Sequence, residues 1–141
     1  MLSNRSIPPV TVIPVLNYAD VAQAVAWLCE VFGFTQRLTI GNHRVQLTVG
    51  DGAVVAADGG RPGGERMRGH SVMVRVDDVD AHHERARSAG AEIVQPPASH
   101  SYGERQYTVV DIGGHAWTFT QSIADVDPAD WGGVLVAPAS G

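Results

Sequence analysis

Apolar and polar residues follow the same order twice along the chain. The segment from Val12 reads VIPVLNYADVAQAVAWLCEVFGFTQRL, and the segment from His70 reads HSVMVRVDDVDAHHERARSAGAEIVQP. Each has a short apolar run, then Asp-Val, then apolar residues at helical spacing, then a glycine and a second β-rich run. This self-similarity predicts an internal repeat in which each half opens with a strand and a helix.

Capping residues delimit the two predicted helices. Asp20 is a suitable N-cap, Gln23 stands where a capping box needs it, and Gly33 can supply a left-handed C-terminal cap. Asp78 and Gly90 are predicted to begin and end the second helix in the same way. The inward-facing stripes are predicted to be Val21, Val25, Leu28 and Phe32 in the first helix, and Val79, His83, Ala86 and Ala89 in the second.

Three β-rich runs separated by turn residues follow each helix. The predicted strands are 35–40, 43–49 and 53–57, then 91–94, 105–111 and 115–121. We therefore predict one α+β domain of two βαβββ modules, which form a curved, barrel-like mixed sheet with the helices on its convex side and a pocket on its concave side. The predicted boundaries are about 10–58 and 69–121 for the modules, about 59–68 for a Gly/Arg-rich linker or mobile flap, and 122–141 for a C-terminal tail.

Composition and charge narrow the classes of function. The chain has 141 residues, of which 44% are hydrophobic and 18% charged, as expected of one globular domain. Its net charge of −5 argues against a nucleic-acid partner. A single cysteine, Cys29, excludes an internal disulfide. The lone cysteine and the opening MLSNRSIPP, which has no apolar run typical of a signal peptide, favour a cytoplasmic location. No stretch approaches the roughly 20 apolar residues of a membrane span, so we expect no membrane partner.

Several motifs resemble one known family. The helix end WLCEVFGF, the passage VRVDDVDAHHERARSAGAE and above all YGERQYTVVDIGGHAWTFTQ are similar to the glyoxalase, bleomycin-resistance and extradiol-dioxygenase superfamily, also called vicinal oxygen chelate proteins. The resemblance covers about residues 10–121. The opening IPVLNYADV is most similar to a branch of small bacterial glyoxalase-like proteins that includes PhnB-like sequences.

The resemblance implies a divalent metal held by His, Gln or Glu, one from the first and one from the last strand of each module. Transferred one position at a time, these ligands fall on Ile13, Ala56, Ser71 and Thr118. None offers the imidazole, thiolate or carboxylate that such a metal prefers, so we expect no metal and no other cofactor. His70 is one residue from a ligand position, and strand alternation turns it to the opposite face.

The remaining histidines and the aromatic residues are expected to be structural. His82 and His83 are predicted to lie on a solvated helix face and its edge, and His115 to make a structural hydrogen bond in the GGHAW turn. If Thr118 points inward to the pocket, then Trp117 and Phe119 face the helices and belong to the core.

Alternation along the strands selects the predicted ligand-binding residues. Ser71, Met73 and Arg75 share one face of the fifth strand, as Gln46 and Thr48 do on the third. The YGER segment could close over the pocket mouth. The full predicted set is Gln46, Thr48, Ser71, Met73, Arg75, Tyr102, Arg105, Tyr107 and Thr118, beside apolar Ile13 and Val15. Pairing of Arg75 with Asp77, and a turn role for Tyr102, remain alternatives.

Three functions follow from these observations. The first is a metal-free protein that binds a small organic ligand, such as an antibiotic or a metabolite. The second is a metal-dependent glyoxalase-type lyase or dioxygenase whose atypical ligand set includes His70, His100 or His115. The third is a dimeric accessory module without catalysis. The apolar tail residues Trp131, Val134, Leu135 and Val136 predict a homodimer, although the tail could instead fold back on its own domain.

Overall fold

Two βαβββ modules make up the computed structural model, which describes residues 2–63 and 65–137. Eight strands, two helices and one 3₁₀ turn follow in the order β1 (Val15–Asn17), α1 (Val21–Phe32), β2 (Thr35–Ile40), β3 (Arg44–Val49), β4 (Gly52–Ala57), β5 (Val72–Arg75), α2 (Val79–Ser88), β6 (Glu92–Ser99), β7 (Glu104–Val110), β8 (Ala116–Ser122) and η1 (Pro128–Trp131). The predicted α+β class and its repeat are confirmed. No helix in the described residues is long and apolar enough to cross a membrane.

Each module contributes one four-stranded mixed sheet. The strand orders are β1-β4-β3-β2 and β5-β8-β7-β6. In both sheets the strand before the helix pairs in parallel with the last strand of the module, and the other pairs are antiparallel. The curved surface is thus hydrogen-bonded as two halves and is not closed into a barrel.

The predicted caps set the helix boundaries. Asp20 Oδ1 accepts a hydrogen bond from the Gln23 amide at 3.0 Å, and Gly33 ends α1 with a φ of 79°. Asp78 caps α2 in the same way. Helix α2 also satisfies carbonyls at the C-terminal end of α1, because Arg85 Nε donates to Glu30 O at 2.9 Å. Cationic donors stabilise this end of a helix, where carbonyls lack partners.

The core lies between the sheets and the two helices. Trp117 and Phe119 are fully buried there, as the alternation of β8 predicts. Both rings pack against the ring of Phe32 of α1, with centroids 5.5 and 4.9 Å away. The apolar contacts of α1 and β8 therefore join the two modules through one shared aromatic cluster.

A buried carboxylate also joins the modules. Asp111 is 4% exposed and accepts hydrogen bonds from the Tyr18 hydroxyl at 2.6 Å, Trp117 Nε1 at 2.9 Å, and the amides of Gly113 and His115 at 2.9 and 3.0 Å. Burial, together with this carboxylate, raises the pKa of Tyr18 above its ordinary value, so the phenol remains a donor. Each carboxylate oxygen accepts two hydrogen bonds, and such hydrogen bonding is what allows a carboxylate to be buried.

The inward face of α2 differs from the predicted one. His82 contacts the core: its Nδ1 lies 2.5 Å from the Tyr107 hydroxyl, and its ring lies 3.9 Å from that of Phe119. Ala89, predicted to face inward, is exposed. The prediction of a solvated His82 was wrong, because Tyr107 of β7 offers a polar partner beneath the helix that periodicity cannot reveal.

The C-terminal tail folds back on its own module at one end. The amides of Ile123 and Ala124 donate to Gly103 O at 2.8 and 3.3 Å, and the Trp131 ring packs 5.4 Å from that of Tyr102. Beyond that contact, residues 134–136 are more than 80% exposed.

Candidate functional site

A groove of about 450 Å³ lies on the second sheet, on the face away from the helices. Its floor is formed by Thr108 of β7 and Thr118 of β8, which point away from the core because their neighbours Val109 and Trp117 point into it. The lining residues are Arg66, Met67, Arg68, Gly69, His70, Ser71, Thr108, Ala116 and Thr118. A volume in this range suits a small organic ligand.

The segment between the modules forms one wall of this groove. The Met67 amide donates to Gly114 O at 2.7 Å. Gly114 has a φ of +88°, and a Cβ there would collide with the backbone oxygen of Glu65. A glycine is required at this position, since only glycine adopts the conformation and leaves room for the approaching chain. Residues 65–67, within the stretch predicted to be a linker or mobile flap, are therefore docked on the second module.

Hydroxyl and amide side chains continue from the groove along the same face. The hydroxyls of Thr108 and Thr118 lie 3.0 Å apart, and Gln106 Nε2 donates to Thr120 Oγ1 at 3.1 Å. The Thr120 hydroxyl donates to Glu104 at 2.7 Å. Hydrogen bonds from the Ser122 and Thr120 hydroxyls lower the pKa of the Glu104 carboxyl, and nearby Arg75 adds to the effect. The face is thus a polar strip with one carboxylate at its far end.

Four predicted residues share this face. Ser71 and Thr118 line the groove itself. Met73 lies beside Thr118 in the strand register, and Arg75 lies beside Thr120. Met73 is 63% exposed, an uncommon environment for a large apolar side chain on a sheet. The register thus places Met73 and Arg75 on the face of Thr118, as strand alternation predicted. Ser71 precedes β5, and the expectation that His70 points to the opposite face was wrong, because both residues lie before the strand and line the same groove.

Tyr102 lies near the opposite end of the strip. Its hydroxyl donates to Gln106 Oε1 at 3.0 Å, and its ring stacks on that of His100 with centroids 5.0 Å apart. It does not line the groove.

Gln46 and Thr48 belong to the other sheet and do not share the groove. Gln46 is buried, and its amide group is already engaged: Oε1 accepts from Arg37 at 2.5 Å, and Nε2 donates to Ser6 O at 2.9 Å. Thr48 lines a separate cleft of about 280 Å³ beside Pro8. The described residues do not form a single pocket lined by both modules, because residues near the N-terminus cover the first sheet.

Arg105 and Tyr107 point to the helix side, so their predicted place in the pocket was wrong. Arg105 pairs with Asp80 of α2 at 3.0 Å. Tyr107 is 1% exposed, and its hydroxyl meets His82. The register explains this result: Tyr107 is opposite Phe119, and cross-strand partners share a face.

The positions that would hold the family metal offer no suitable donor set. The register pairs Val15 with Val55 and Met73 with Thr118, so the first-module counterpart of Thr118 is Val55. Ala56, the predicted counterpart, faces the helix core instead. Isoleucine, valine, serine and threonine do not make a divalent site. The described residues also contain no group of three or more His, Cys, Asp and Glu side chains able to hold a metal.

Two of the three histidines considered for an atypical site contact each other. His70 Nε2 lies 3.1 Å from His115 Nδ1, and His115 Nε2 lies 2.8 Å from Asn17 O. A carbonyl only accepts, so a neutral His115 donates from Nε2 and receives the His70 proton at Nδ1. Both nitrogens of buried His115 are then engaged, which is the structural hydrogen bonding predicted for it.

The chain belongs to the Glyoxalase/Bleomycin resistance protein/Dioxygenase superfamily, which matches residues 8–119. The sequence resemblance is thereby confirmed at the level of the superfamily. A curated relative, an uncharacterized protein of Mycobacterium bovis, is 35% identical over 57 residues, which are 40% of this chain and 38% of that protein. The match thus spans less than half of that relative.

Solved structures share the fold. TioX from Micromonospora sp. ML1 is 40% identical with a TM-score of 0.67, over 78% of this chain and 96% of TioX. A family member from Nocardioides is 20% identical with a TM-score of 0.63, over 91% and 90%. The fosfomycin resistance protein FosX from Listeria monocytogenes is 17% identical with a TM-score of 0.65, over 86% and 94%. The last two likenesses establish the architecture alone.

Seven of the nine groove-lining residues were outside the predicted ligand-binding set. Thr108 could have been found, because it is the cross-strand neighbour of Thr118 across the Asp111–Gly114 turn. Arg66 and Arg68 carried no local signal, since only docking of the segment on Gly114 brings them to the groove.

Proposed function

We propose that this chain is a small-molecule-binding member of the superfamily that holds an organic ligand in the groove of its second module without the family metal. The groove carries the proposal: it combines a volume of about 450 Å³ with a floor of threonine hydroxyls and a wall of backbone and cationic side chains. A few placed polar groups around a concave surface are typical of ligand sites.

The chemistry of the lining favours binding over turnover. None of the groove-lining residues is acidic, so the one imidazole among them, His70, is the only side-chain base there. Within the described residues its ring contacts His115, and neither imidazole ring bonds to a carboxylate. Acid–base catalysis needs a positioned base within reach of substrate, usually oriented by a third group. Resistance proteins such as FosX share this fold. An antibiotic or a related metabolite is therefore a reasonable first class of ligand to test.

A thermal-shift screen with a groove-filling variant tests the proposal. Antibiotics, aromatic metabolites and α-ketoaldehydes are screened against the wild type, Thr118→Trp and the control Thr39→Trp, which alters an exposed position on β2. A ligand at 100 times its Kd adds about 2.7 kcal/mol of stability, so we expect a rise in Tm that the control keeps and Thr118→Trp loses. Stabilisation unaffected by Thr118→Trp would place the ligand elsewhere. Metal-dependent turnover of an α-ketoaldehyde would establish the enzyme instead.

We also propose that the chain is a homodimer. Strands β1 and β5 each lie at one edge of their sheet, and each presents an exposed apolar residue, Val15 at 45% and Met73 at 63%. Unpaired strand edges with apolar side chains favour association. Light scattering at micromolar concentration should give twice the chain mass, and Met73→Glu should shift it toward one chain. A wild-type monomer would exclude the dimer.

The accessory-module function gains support only if a dimer forms and no compound in the screen binds. The PhnB-like branch and the cytoplasmic location stay predictions of the sequence.

A further inference from the structure

The groove has a charge opposite to that of the protein around it. The chain carries a net charge of −5, yet Arg66 and Arg68 are among the nine residues that line the groove, and none of those nine is acidic. Glu65 precedes Arg66 in the chain but is not among the lining residues, and Glu104, on the same face, lies at the far end of the polar strip, where Thr120 donates to it. The positive charge is therefore local to the groove.

The two arginines are not used by the fold within the described residues. The ion pairs there are Arg87 with Glu84 and Arg105 with Asp80, both on or beside α2. The main chain, through the Met67 amide, is what attaches this segment to Gly114. The guanidinium groups of Arg66 and Arg68 are thus available to bind a ligand. The docked backbone fixes the positions of their Cα atoms beside the groove.

Hydroxyl donors lie on the opposite side of the same space. Ser71, Thr108 and Thr118 line the groove, and the last two share one hydrogen bond, so at most one of their two protons is committed to it. Planar guanidinium groups match carboxylate and phosphate oxygens, and hydroxyls complete the hydrogen bonding of an oxyanion. Ala116 and the stem of Met67 add apolar surface beside these donors.

From this arrangement we infer that the groove takes an organic oxyanion, a molecule with a carboxylate or phosphonate group on a partly apolar body. The inference rests on the proposed binding function and names its ligand class. The anionic group lies between Arg66 and Arg68, and the body lies over Ala116 and the threonine floor.

Matched pairs of ligands test the charge requirement. A panel of small carboxylic acids with one-ring, two-ring and aliphatic bodies is compared with the corresponding primary amides and phosphonates by calorimetry at low salt. Amide-proton NMR shifts at Met67, Thr108 and Thr118 locate binding. We expect the acids or the phosphonates to bind at least about tenfold tighter than the amides, as one charge-assisted contact allows. The tighter of the two anion classes identifies the headgroup.

Two double variants assign the effect to the groove. Arg66→Gln with Arg68→Gln should reduce the acid-to-amide ratio to near one. Arg44→Gln with Arg87→Gln changes the net charge equally, on β3 and α2, and should leave the ratio unchanged.

Each other outcome is decisive. Amides that bind the groove as well as acids would overturn the oxyanion inference and leave the binding function intact. An anion preference that survives loss of Arg66 and Arg68 would overturn the site. Panels in which no compound binds would overturn both the inference and the proposed function.

Discussion

Replacing one oxygen of the Asp111 carboxylate should destabilise the protein strongly without changing the shape of the core. In the wild type, the backbone amides of Gly113 and His115 donate to Asp111 Oδ1, and in Asp111→Asn the side-chain amide oxygen can keep both hydrogen bonds. The new NH₂ group then faces the Tyr18 hydroxyl and Trp117 Nε1, which donate to Oδ2 at 2.6 and 2.9 Å. The Tyr18 hydroxyl and the Trp117 indole, which both donate in the wild type, then face a group that is itself a donor.

The magnitude follows from what each partner can do. A hydrogen bond to a charged group contributes about 1.5–3 kcal/mol, and a buried donor left unsatisfied costs about 1–3 kcal/mol. The Tyr18 hydroxyl can turn and accept from the amide, whereas the Trp117 indole can only donate. We therefore expect Asp111→Asn to lower the free energy of unfolding by about 2–4 kcal/mol, mostly through Trp117.

Urea denaturation of a double-mutant cycle measures this. Tyr18→Phe should cost about 1.5–3 kcal/mol in the wild type and clearly less in the Asp111→Asn background, because the charged acceptor is gone. Asp51→Asn, in an exposed turn, is the control and should stay within about 0.5 kcal/mol. A loss below about 1 kcal/mol for Asp111→Asn, or additive effects within about 0.5 kcal/mol, would refute the bridging role.

Three further predictions address the groove, the helix contact and the metal. Gly114→Ala should displace the backbone of Glu65 and so break the hydrogen bond of the Met67 amide. Hydrogen exchange of that amide proton should accelerate while core amides stay protected. Unchanged exchange would contradict the docking. Burial lowers the pKa of His82. A hydrogen bond to the carbonyl of Phe32 opposes this effect, the charge of nearby Arg85 supports it, and the net shift is downward. The unfolded chain therefore binds more protons, and stability should fall as pH drops below about 6.5. That slope of Tm against pH should flatten in His82→Gln, and an equal slope in both proteins would assign it to other groups. Elemental analysis of tag-free protein should find no stoichiometric Ni, Zn, Fe or Mn, and added metal should leave Tm unchanged; one bound metal per chain would overturn the metal-free function.

Local patterns in the sequence determined the elements and much of the face assignment. Asp20, Asp78 and Gly33 cap helices as predicted, because capping hydrogen bonds span only a few residues. Alternation put Trp117 and Phe119 in the core and Thr118 on the opposite face, since side chains in a strand alternate by geometry alone.

Only the tertiary structure decided which residues share a site. Gln46 lost its predicted role because Ser6 and Arg37, distant in sequence or on another strand, bind its amide group. Ala56 was assigned to the wrong face because a one-residue error in register reverses a strand's side chains. Tyr107 was placed at the pocket because it follows the YGER segment, whereas the register puts it opposite core residue Phe119. Arg66 and Arg68 gained a role because Gly114 lets the intervening chain dock on the second sheet. Such contacts join residues far apart in the chain, and no periodicity records them.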